Sequence, residues 1–288
     1  MTTTIKAHSS DVLYQSRNLW WNEDFVSLLA QRWGLKDYNS MLDVGLGLGH
    51  WSRMLLKYVE PSFTFTGLDI EQKWLDESKN IFSNSFPNEL SDKFKFIKAD
   101  AHDIPLPSNS FDIVTCQTVL MHLHNPLKCL SEMKRLIKPT GIVICVEPIN
   151  LFNRLEVSSL TSEIDIRHRV VLYEFWSRLH EGKRLLKLGD NDIGMYLPGL
   201  FEQLKFNNIC SFQNDRLQFT SGINVEEELS ITEEDRYFAH IGGADSKLQM
   251  QIGKVLSEIK EMLKSRPLPN YFSSGTLNMI ICSGSKND

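Results

Sequence analysis

The chain has 288 residues, a formal net charge of −5 and 42% hydrophobic residues. This composition is ordinary for a globular protein with a sizeable core, and the acidic balance argues against a nucleic-acid partner. No segment is long and apolar enough to span a membrane, and Met1–Lys6 lacks the apolar core of a signal peptide. We therefore expect a cytoplasmic protein without a membrane partner.

The cysteines and histidines give no sign of a disulfide framework or a metal site. The five cysteines are far apart, without a Cys-x-x-Cys pair: Cys116, Cys129, Cys145, Cys210 and Cys282. Their odd number and apolar surroundings favour reduced, mostly buried thiols. His122 and His124 lie two positions apart, but no other residues with ligand spacing accompany them, so we expect no metal.

Residues 10–35 carry apolar and aromatic residues at spacings of three, four and seven. This pattern predicts one or two amphipathic helices. A helical cover packed on the edge of the fold is the simplest interpretation, and each aromatic residue, including Tyr14, Trp20 and Trp21, could belong to the core.

The most informative stretch is a glycine-rich turn. A short apolar strand at Met41–Val44 is followed by Gly45, Gly47 and Gly49 and then by a helix over residues 50–58. Glycine at every second position permits a sharp turn and the close approach of a ligand, which would face the N–H groups of the next helix. A strand, glycine turn and helix in this order predict a nucleotide-type site.

The spacing of the glycines narrows the choice of ligand. A second apolar run, Phe63–Asp69, ends on an acid 26 positions after Asp43. A dinucleotide fingerprint counted from Gly45 needs a glycine at position 50, where the chain has His50. This spacing disfavours a nicotinamide-dependent dehydrogenase.

The following residues alternate between helices and strands. Helices are predicted at residues 71–82 and 126–137, and strands at 93–98, 111–116 and 141–147. Such alternation predicts a parallel sheet with helices on both faces, and a site at the carboxyl ends of its strands. The polar residues at or near these ends are Asp43, Asp69, Asp100, Gln117 and Glu147.

Beyond residue 148 the pattern predicts further helices and two more strands. The helices are at 151–188, 197–206, 225–240 and 247–264, and the strands are at 208–219 and 276–283. No linker or repeat marks a second domain, so we expect residues 1–288 to form a single domain. Residues 149–200 form a helical insertion in this arrangement. Since insertions at this edge often carry specificity, we expect a lid over the substrate.

Together these motifs resemble the class I S-adenosylmethionine-dependent methyltransferases, in their broad small-molecule branch. Asp43-x-Gly-x-Gly-x-Gly resembles motif I of that family, and the segments at 96–101, 103–117 and 136–147 resemble the later motifs. Thr140 replaces a glycine that is usual in the last of them. The resemblance covers residues 40–148. It implies an α/β, Rossmann-like, doubly wound sheet of seven mostly parallel strands with an antiparallel last strand.

The resemblance also implies S-adenosylmethionine as the cofactor, and it implies which residues bind it. They are Asp43, Gly45, Gly47, Gly49, Asp69, Ile70, Asp100, Ala101 and Gln117. Asp69 would hold the ribose hydroxyls, and the segment at 96–101 would flank the adenine. The resemblance also suggests that the N-terminal helices cover the cofactor, where an aromatic face beside the sulfonium cation is favourable by about 0.5–2 kcal/mol. Trp20, Trp21 and Tyr173 are the candidates for substrate binding.

Methyl transfer from a sulfonium is an in-line displacement that needs alignment and no metal. His122 is a candidate general base because imidazole titrates near neutrality, although it could instead pack beneath its loop. Glu147 and Tyr14 are further catalytic candidates, at the acceptor pocket.

The motifs leave the reaction and the acceptor open. We expect methyl transfer to an oxygen, nitrogen or carbon nucleophile of a small molecule. Alternatively, the chain could transfer the aminocarboxypropyl group or cyclise the cofactor, releasing methylthioadenosine. A noncatalytic cofactor-binding module is a third alternative, and the oligomeric state is not fixed by the sequence.

Overall fold

The computed structural model describes residues 17, 20–153, 157–158, 164–216, 218–221, 230–265, 272–275 and 278–286. The helices there are α1 (Glu23–Trp33), α2 (His50–Leu55), α3 (Gln72–Ser85), α4 (Asn88–Ser91), α5 (Pro126–Leu136), α6 (Asn150–Asn153), α7 (Ile166–Leu185), α8 (Leu197–Gln203), α9 (Glu233–Ile241) and α10 (Ser246–Ser265). The strands are β1 (Ser40–Val44), β2 (Thr64–Asp69), β3 (Phe94–Lys98), β4 (Phe111–Gln117), β5 (Ile137–Pro148), β6 (Val157–Ser158), β7 (Asn207–Gln213), β8 (Gln218–Ser221), β9 (Phe272–Gly275) and β10 (Met279–Ser285). None of these helices has the length and apolar content needed to cross a membrane.

The described strands form a seven-stranded sheet in the order β3-β2-β1-β4-β5-β10-β7. The pairs β1–β2, β1–β4, β2–β3 and β4–β5 are parallel, whereas β10 runs antiparallel to both β5 and β7. The predicted α/β Rossmann-like sheet with an antiparallel last strand is therefore confirmed. Because the strand order reverses between β1 and β4, their carboxyl ends border the crevice where such sheets bind ligands.

Helices cover both faces of this sheet. Every residue of β1 and β4 is buried, which explains why their sequences are nearly continuous apolar runs. On one face, α5 and α8 contribute Met133 and Phe201 to the core. On the other face, Trp33 of α1 packs in the core and its Nε1 donates to Ser283 Oγ of β10 at 3.2 Å. These contacts fix α1 against the last strand.

The helices α7, α9 and α10 form a group of their own, which we call the helical cap. Their shared core contains Phe175, Leu179, Phe238, Leu248 and Ile252. A Cβ on Gly182 of α7 would lie 1.8 Å from the carbonyl oxygen of Phe238 in α9, so only glycine permits this close approach of the two backbones. The cap thus joins part of the expected 149–200 insertion to helices that follow β7.

Two predicted boundaries near the insertion are wrong. The helix predicted at 151–188 is interrupted: Asn150–Asn153 is helical, Val157–Ser158 form a strand, and the long helix α7 begins only at Ile166. Asp165 sets this late start by accepting a hydrogen bond from Arg167 N at 2.8 Å. The strand predicted at 141–147 begins earlier, at Ile137, because Pro139 disfavours helical backbone in the residue before it.

The strand predicted at 208–219 is also wrong, because it is divided in two. β7 ends at Gln213, and the Nδ2 of the next residue, Asn214, donates to Trp20 O, in the segment before α1, at 3.1 Å. β8 belongs to a second, antiparallel sheet in the order β6-β9-β8. Residues 225–229 of the helix predicted at 225–240 lie outside the described residues, and α9 starts at a capping box formed by Thr232 and Asp235.

Candidate cofactor site

The glycine turn after β1 has the backbone that its sequence predicts. Gly45, Gly47 and Gly49 have φ angles of 70°, 52° and 67°, which favour glycine. A Cβ at Gly45 would lie 2.4 Å from Val119 Cγ2, and one at Gly49 would lie 2.2 Å from Phe82 Cε2. At Gly47, a Cβ would have no neighbour within 4 Å. The outer two glycines therefore permit packing, and Gly47 faces open space in which a ligand can lie.

Asp69 ends β2 beside this open space. Its Oδ2 accepts a hydrogen bond from Gly47 N at 2.9 Å, and its Oδ1 accepts one from Glu71 N at 3.0 Å. An ionised carboxylate has about four lone-pair positions, so both oxygens keep capacity to accept ribose hydroxyls. The next residue, Ile70, is 58% exposed and presents an apolar side chain at the same edge.

The segment predicted to flank the adenine lies directly beside Asp69. Ala99 N donates to Asp69 O at 3.1 Å, which places Asp100 and the partly buried Ala101 at the next strand end. Asp100 Oδ1 accepts from His102 N at 2.8 Å and lies 2.8 Å from the ring Nδ1 of His102. These hydrogen bonds lower the pKa of Asp100. The structure thus brings the predicted ribose and adenine residues together.

Asp43 is buried within β1 and is hydrogen-bonded to the helix that follows the glycine turn. It accepts a hydrogen bond from the Ser52 hydroxyl on α2. Burial raises the pKa of Asp43 to about 7 and the charge of Asp69 adds to this effect, while Ser52 and the Arg17 guanidinium oppose it. On the same helix, burial lowers the pKa of His50 to about 3, so its imidazole is neutral at pH 7.

The carboxyl end of β4 carries a buried amide with unused hydrogen-bonding capacity. Neither Oε1 nor Nε2 of Gln117 has a hydrogen-bond partner among the described residues. The next residue, Thr118, has a φ of 53°, which is strained for a β-branched side chain. Orphaned buried polar groups and backbone strain both concentrate at binding sites, so this strand end fits contact with a ligand.

Glu147, at the end of β5, determines the course of the loop after β4. It is fully buried, and its Oε1 accepts from Val119 N at 2.9 Å and Leu120 N at 2.8 Å. Its Oε2 accepts from Met121 N at 3.2 Å. Burial raises the pKa of Glu147 to about 7, against the lowering effect of these N–H groups. This geometry favours a positioning role over the predicted contact with the acceptor.

The remaining candidates differ in their burial and in their described contacts. Trp21 is buried, with its ring centroid 5.1 Å from that of Trp51, and it lines a cavity of about 300 Å³ between α1 and α2. Trp20 is partly buried. Tyr173 is 40% exposed on α7, and no described contact joins it to the glycine turn. Tyr14 lies outside the described residues.

His122 lies in a short 3₁₀ turn, Leu120–His122, and its side chain is exposed. A Cβ at Gly189, which follows α7, would lie 2.9 Å from His122 Cα. The loop that carries His122 is therefore in direct contact with the segment that leaves the helical cap.

Further hydrogen bonds attach the cap to the strand ends. Asp190 N donates to Met121 O at 2.9 Å, in the loop after β4. Asp192 accepts from Leu151 N at 2.7 Å, after β5, and its Oδ2 lies 2.6 Å from Nδ1 of the buried His180 on α7. The cap is therefore joined to the loops that follow β4 and β5, at the edge of the sheet that carries the site.

Sequence reasoning missed several residues of this site. They are Arg17, Ser52, Thr118, Val119 and His102. Ser52 lies nine positions after Asp43, in the first turn of the helix that follows the glycine turn, so the strand-turn-helix pattern could have suggested their approach. Nothing in the sequence pairs Arg17 with Thr118, which are 101 positions apart. Within the described part of the chain, no group of three or more His, Cys, Asp or Glu residues could hold a metal ion.

Comparison with known sequences agrees with this geometry. Residues 42–145 match the sequence model of a family described as a methyltransferase domain. Over residues 42–145, where the family model matches, the chain carries a class I S-adenosylmethionine-dependent methyltransferase domain. A demethylmenaquinone methyltransferase of Staphylococcus aureus is 33% identical over 114 residues, which make up 40% of this chain and 45% of that relative. The matching region therefore spans less than half the length of this curated relative.

Solved structures of the same fold extend over nearly the whole chain. A protein of Bacillus halodurans superposes with a TM-score of 0.53 at 16% identity, covering 92% of this chain and 100% of that one. The YcgJ protein of Bacillus subtilis gives a TM-score of 0.52 at 17% identity, covering 93% and 100%. S-adenosylmethionine is the cofactor of the family. The open space at Gly47, the Asp69 carboxylate and the Gln117 amide fit it.

Proposed function

We propose that the protein transfers the methyl group of S-adenosylmethionine to a small-molecule acceptor. The observation that carries this proposal is the open space at Gly47, bordered by the carboxylate of Asp69. When bound, S-adenosylmethionine supplies an electrophilic methyl group on a sulfonium. Asp69 would hold its ribose, and Asp100 and Ala101 would flank its adenine. Gln117 would contact its amino-acid end.

The contribution of the chain to this chemistry is alignment. Holding two reacting groups in the correct geometry can lower a barrier by up to roughly 7–11 kcal/mol. Glu147 holds the loop after β4, and Val119 of that loop packs against Gly45. The glycine turn and the loop after β4 are thus fixed to each other, so the crevice between them is formed before a ligand binds.

Three observations support a small acceptor. The chain has a net charge of −5, which does not attract nucleic acid. Its partial relative carries the name demethylmenaquinone methyltransferase, and that name describes a small acceptor. Asp190 and Asp192 hydrogen-bond the helical cap to the loops that follow β4 and β5. In this position the cap can enclose a ligand and exclude water.

The product of the cofactor distinguishes methyl transfer from the alternatives. The protein is incubated with methyl-labelled S-adenosylmethionine and fractionated small-molecule extracts, and both products are identified by mass spectrometry. We expect one labelled small molecule for each S-adenosylhomocysteine formed. Methylthioadenosine as the product would instead indicate aminocarboxypropyl transfer or cyclisation. Tight cofactor binding without any turnover across the extracts would favour the noncatalytic module.

A further inference from the structure

The guanidinium of Arg17 lies at the carboxyl end of β4, next to the strained residue Thr118. Its Nη2 donates to Thr118 Oγ1 at 3.2 Å, and its Cζ lies 5.3 Å from the centroid of the Trp20 ring. Its Nε is buried and has no hydrogen-bond partner among the described residues. The planar fork of donors is thus held in place by a hydroxyl and an aromatic face, neither of which carries a negative charge.

No described carboxylate forms an ion pair with Arg17. Asp43 is near enough for the two charges to interact, but its hydrogen bond comes from Ser52. Burial lowers the pKa of Arg17, and the charge of Asp43 offsets part of that effect. Removing a guanidinium from water without a paired anion is strongly unfavourable. A bound anion would therefore stabilise this arrangement, and a carboxylate matches the fork in shape.

The unused amide of Gln117 identifies the kind of anion. Gln117 is the chain neighbour of Thr118, and both its donor and its acceptor are buried without partners. An α-amino acid group presents a carboxylate and an ammonium on one carbon. The carboxylate can accept from Arg17 while the ammonium donates to Gln117 Oε1. The nearby negative charge of Asp43 also suits an ammonium group.

We propose that Arg17 binds the carboxylate of the amino-acid end of S-adenosylmethionine and that Gln117 binds the ammonium group beside it. This role rests on the proposed function. It makes Arg17, which precedes α1 in the chain, a direct part of the cofactor site. It also gives the site a means of preferring S-adenosylmethionine and S-adenosylhomocysteine over methylthioadenosine, which lacks the amino-acid end.

Calorimetric titration with two ligands tests this role without an acceptor. S-adenosylmethionine and its decarboxylated form share the ammonium and sulfonium groups and differ only in the carboxylate. Because hydrogen bonds to a charged group are strong, we expect the native protein to bind S-adenosylmethionine roughly 10- to 100-fold more tightly than the decarboxylated form. In Arg17→Met, the affinity for S-adenosylmethionine should fall by about that factor. The affinity for the decarboxylated form should stay close to that of the native protein.

Arg32 provides a matched control. Its guanidinium lies over the Phe212 ring at 5.3 Å, the same distance as for Arg17 and Trp20, but on the side of α1 that faces β7. Arg32→Met should leave both affinities unchanged. Arg17→Lys keeps the charge without the planar fork, so we expect it to bind S-adenosylmethionine with an intermediate affinity. It also provides a second variant if Arg17→Met does not fold.

Three results would overturn the assignment. If Arg17→Met lowered the affinity for both ligands equally, Arg17 would only support the fold of the site. Unchanged binding of S-adenosylmethionine in the variant, or equal native affinities for the two ligands, would mean that Arg17 does not bind the carboxylate. If the folded native protein binds neither ligand, the proposed function fails as well, and this outcome is distinct from the other three patterns.

Discussion

The carboxylate of Glu147, at the end of β5, accepts a 2.8 Å hydrogen bond from the backbone N–H of Leu120, in the loop after β4. The same carboxylate accepts from Val119 and Met121. Since Val119 packs against Gly45, this buried side chain connects β5 to the glycine turn. Glu147 thereby shapes the cofactor crevice from behind the loop.

Replacing Glu147 with glutamine should weaken cofactor binding. The amide would place a donor opposite one of the three N–H groups, and leaving a buried donor unsatisfied costs about 1–3 kcal/mol. We expect a lower melting temperature and a roughly tenfold weaker binding of S-adenosylhomocysteine, measured by thermal unfolding and calorimetry. Asp245→Asn is a control, because Asp245 accepts from Leu248 N in the helical cap. Unchanged affinity in Glu147→Gln would contradict the positioning role.

The stability of the protein should fall as the pH rises toward neutrality. Burial raises the pKa of Glu147 from 4.5 to about 7, so between these values the folded state holds a proton that the unfolded chain has lost. Asp43 acts in the same direction, while the lowered pKa of the buried His50 opposes part of this fall below about pH 6.5. We expect the free energy of unfolding, measured with urea from pH 5 to pH 8, to decrease up to about pH 7. Glu147→Gln should reduce this slope, and an equal slope in the variant would refute the assignment.

The core of the fold could be predicted because its signals are local. The apolar runs of β1 and β4 follow from burial on both faces, and the glycine turn follows from its φ angles. The direction of the Glu147 side chain could not be predicted in the same way. Its place at a strand end is a local property, but its orientation depends on N–H groups 26 to 28 positions away.

The Arg17 site shows the same limit over a longer distance. Arg17 and Thr118 are 101 positions apart, and no periodicity connects them. The helical cap was also only partly predictable. Its α7 lies within the expected insertion, but α9 and α10 join it through contacts such as that of Gly182 with Phe238. Contacts of this kind become visible only after the chain has folded.

The two glycines Gly45 and Gly47 should respond differently to alanine. Gly47→Ala adds a methyl group in open space, so the main cost to folding is the positive φ, roughly 1–2 kcal/mol, while the methyl obstructs the ligand. Gly45→Ala brings the methyl 2.4 Å from Val119 and should lower the melting temperature more. Thermal unfolding and S-adenosylhomocysteine titration of both variants test this contrast. A larger loss of stability in Gly47→Ala would contradict it.

His122 should not be indispensable for turnover. Its side chain is exposed, and alignment supplies most of the rate in this chemistry. With the acceptor identified, we expect His122→Asn to retain measurable methyl transfer and an unchanged affinity for S-adenosylmethionine. Steady-state kinetics provides the test. A loss of about a thousandfold or more in kcat would instead assign His122 the role of a general base.

The central claim is that the glycine turn and Asp69 hold S-adenosylmethionine. Calorimetric titration of the cofactor into the native protein, Asp69→Ala and Asp76→Ala tests it most directly, because Asp76 is an exposed acid on the nearby helix α3. Hydrogen bonds to a charged group contribute about 1.5–3 kcal/mol, so Asp69→Ala should bind roughly 10- to 100-fold more weakly, with Asp76→Ala unchanged. No binding to the native protein, or unchanged binding to folded Asp69→Ala, would contradict the claim.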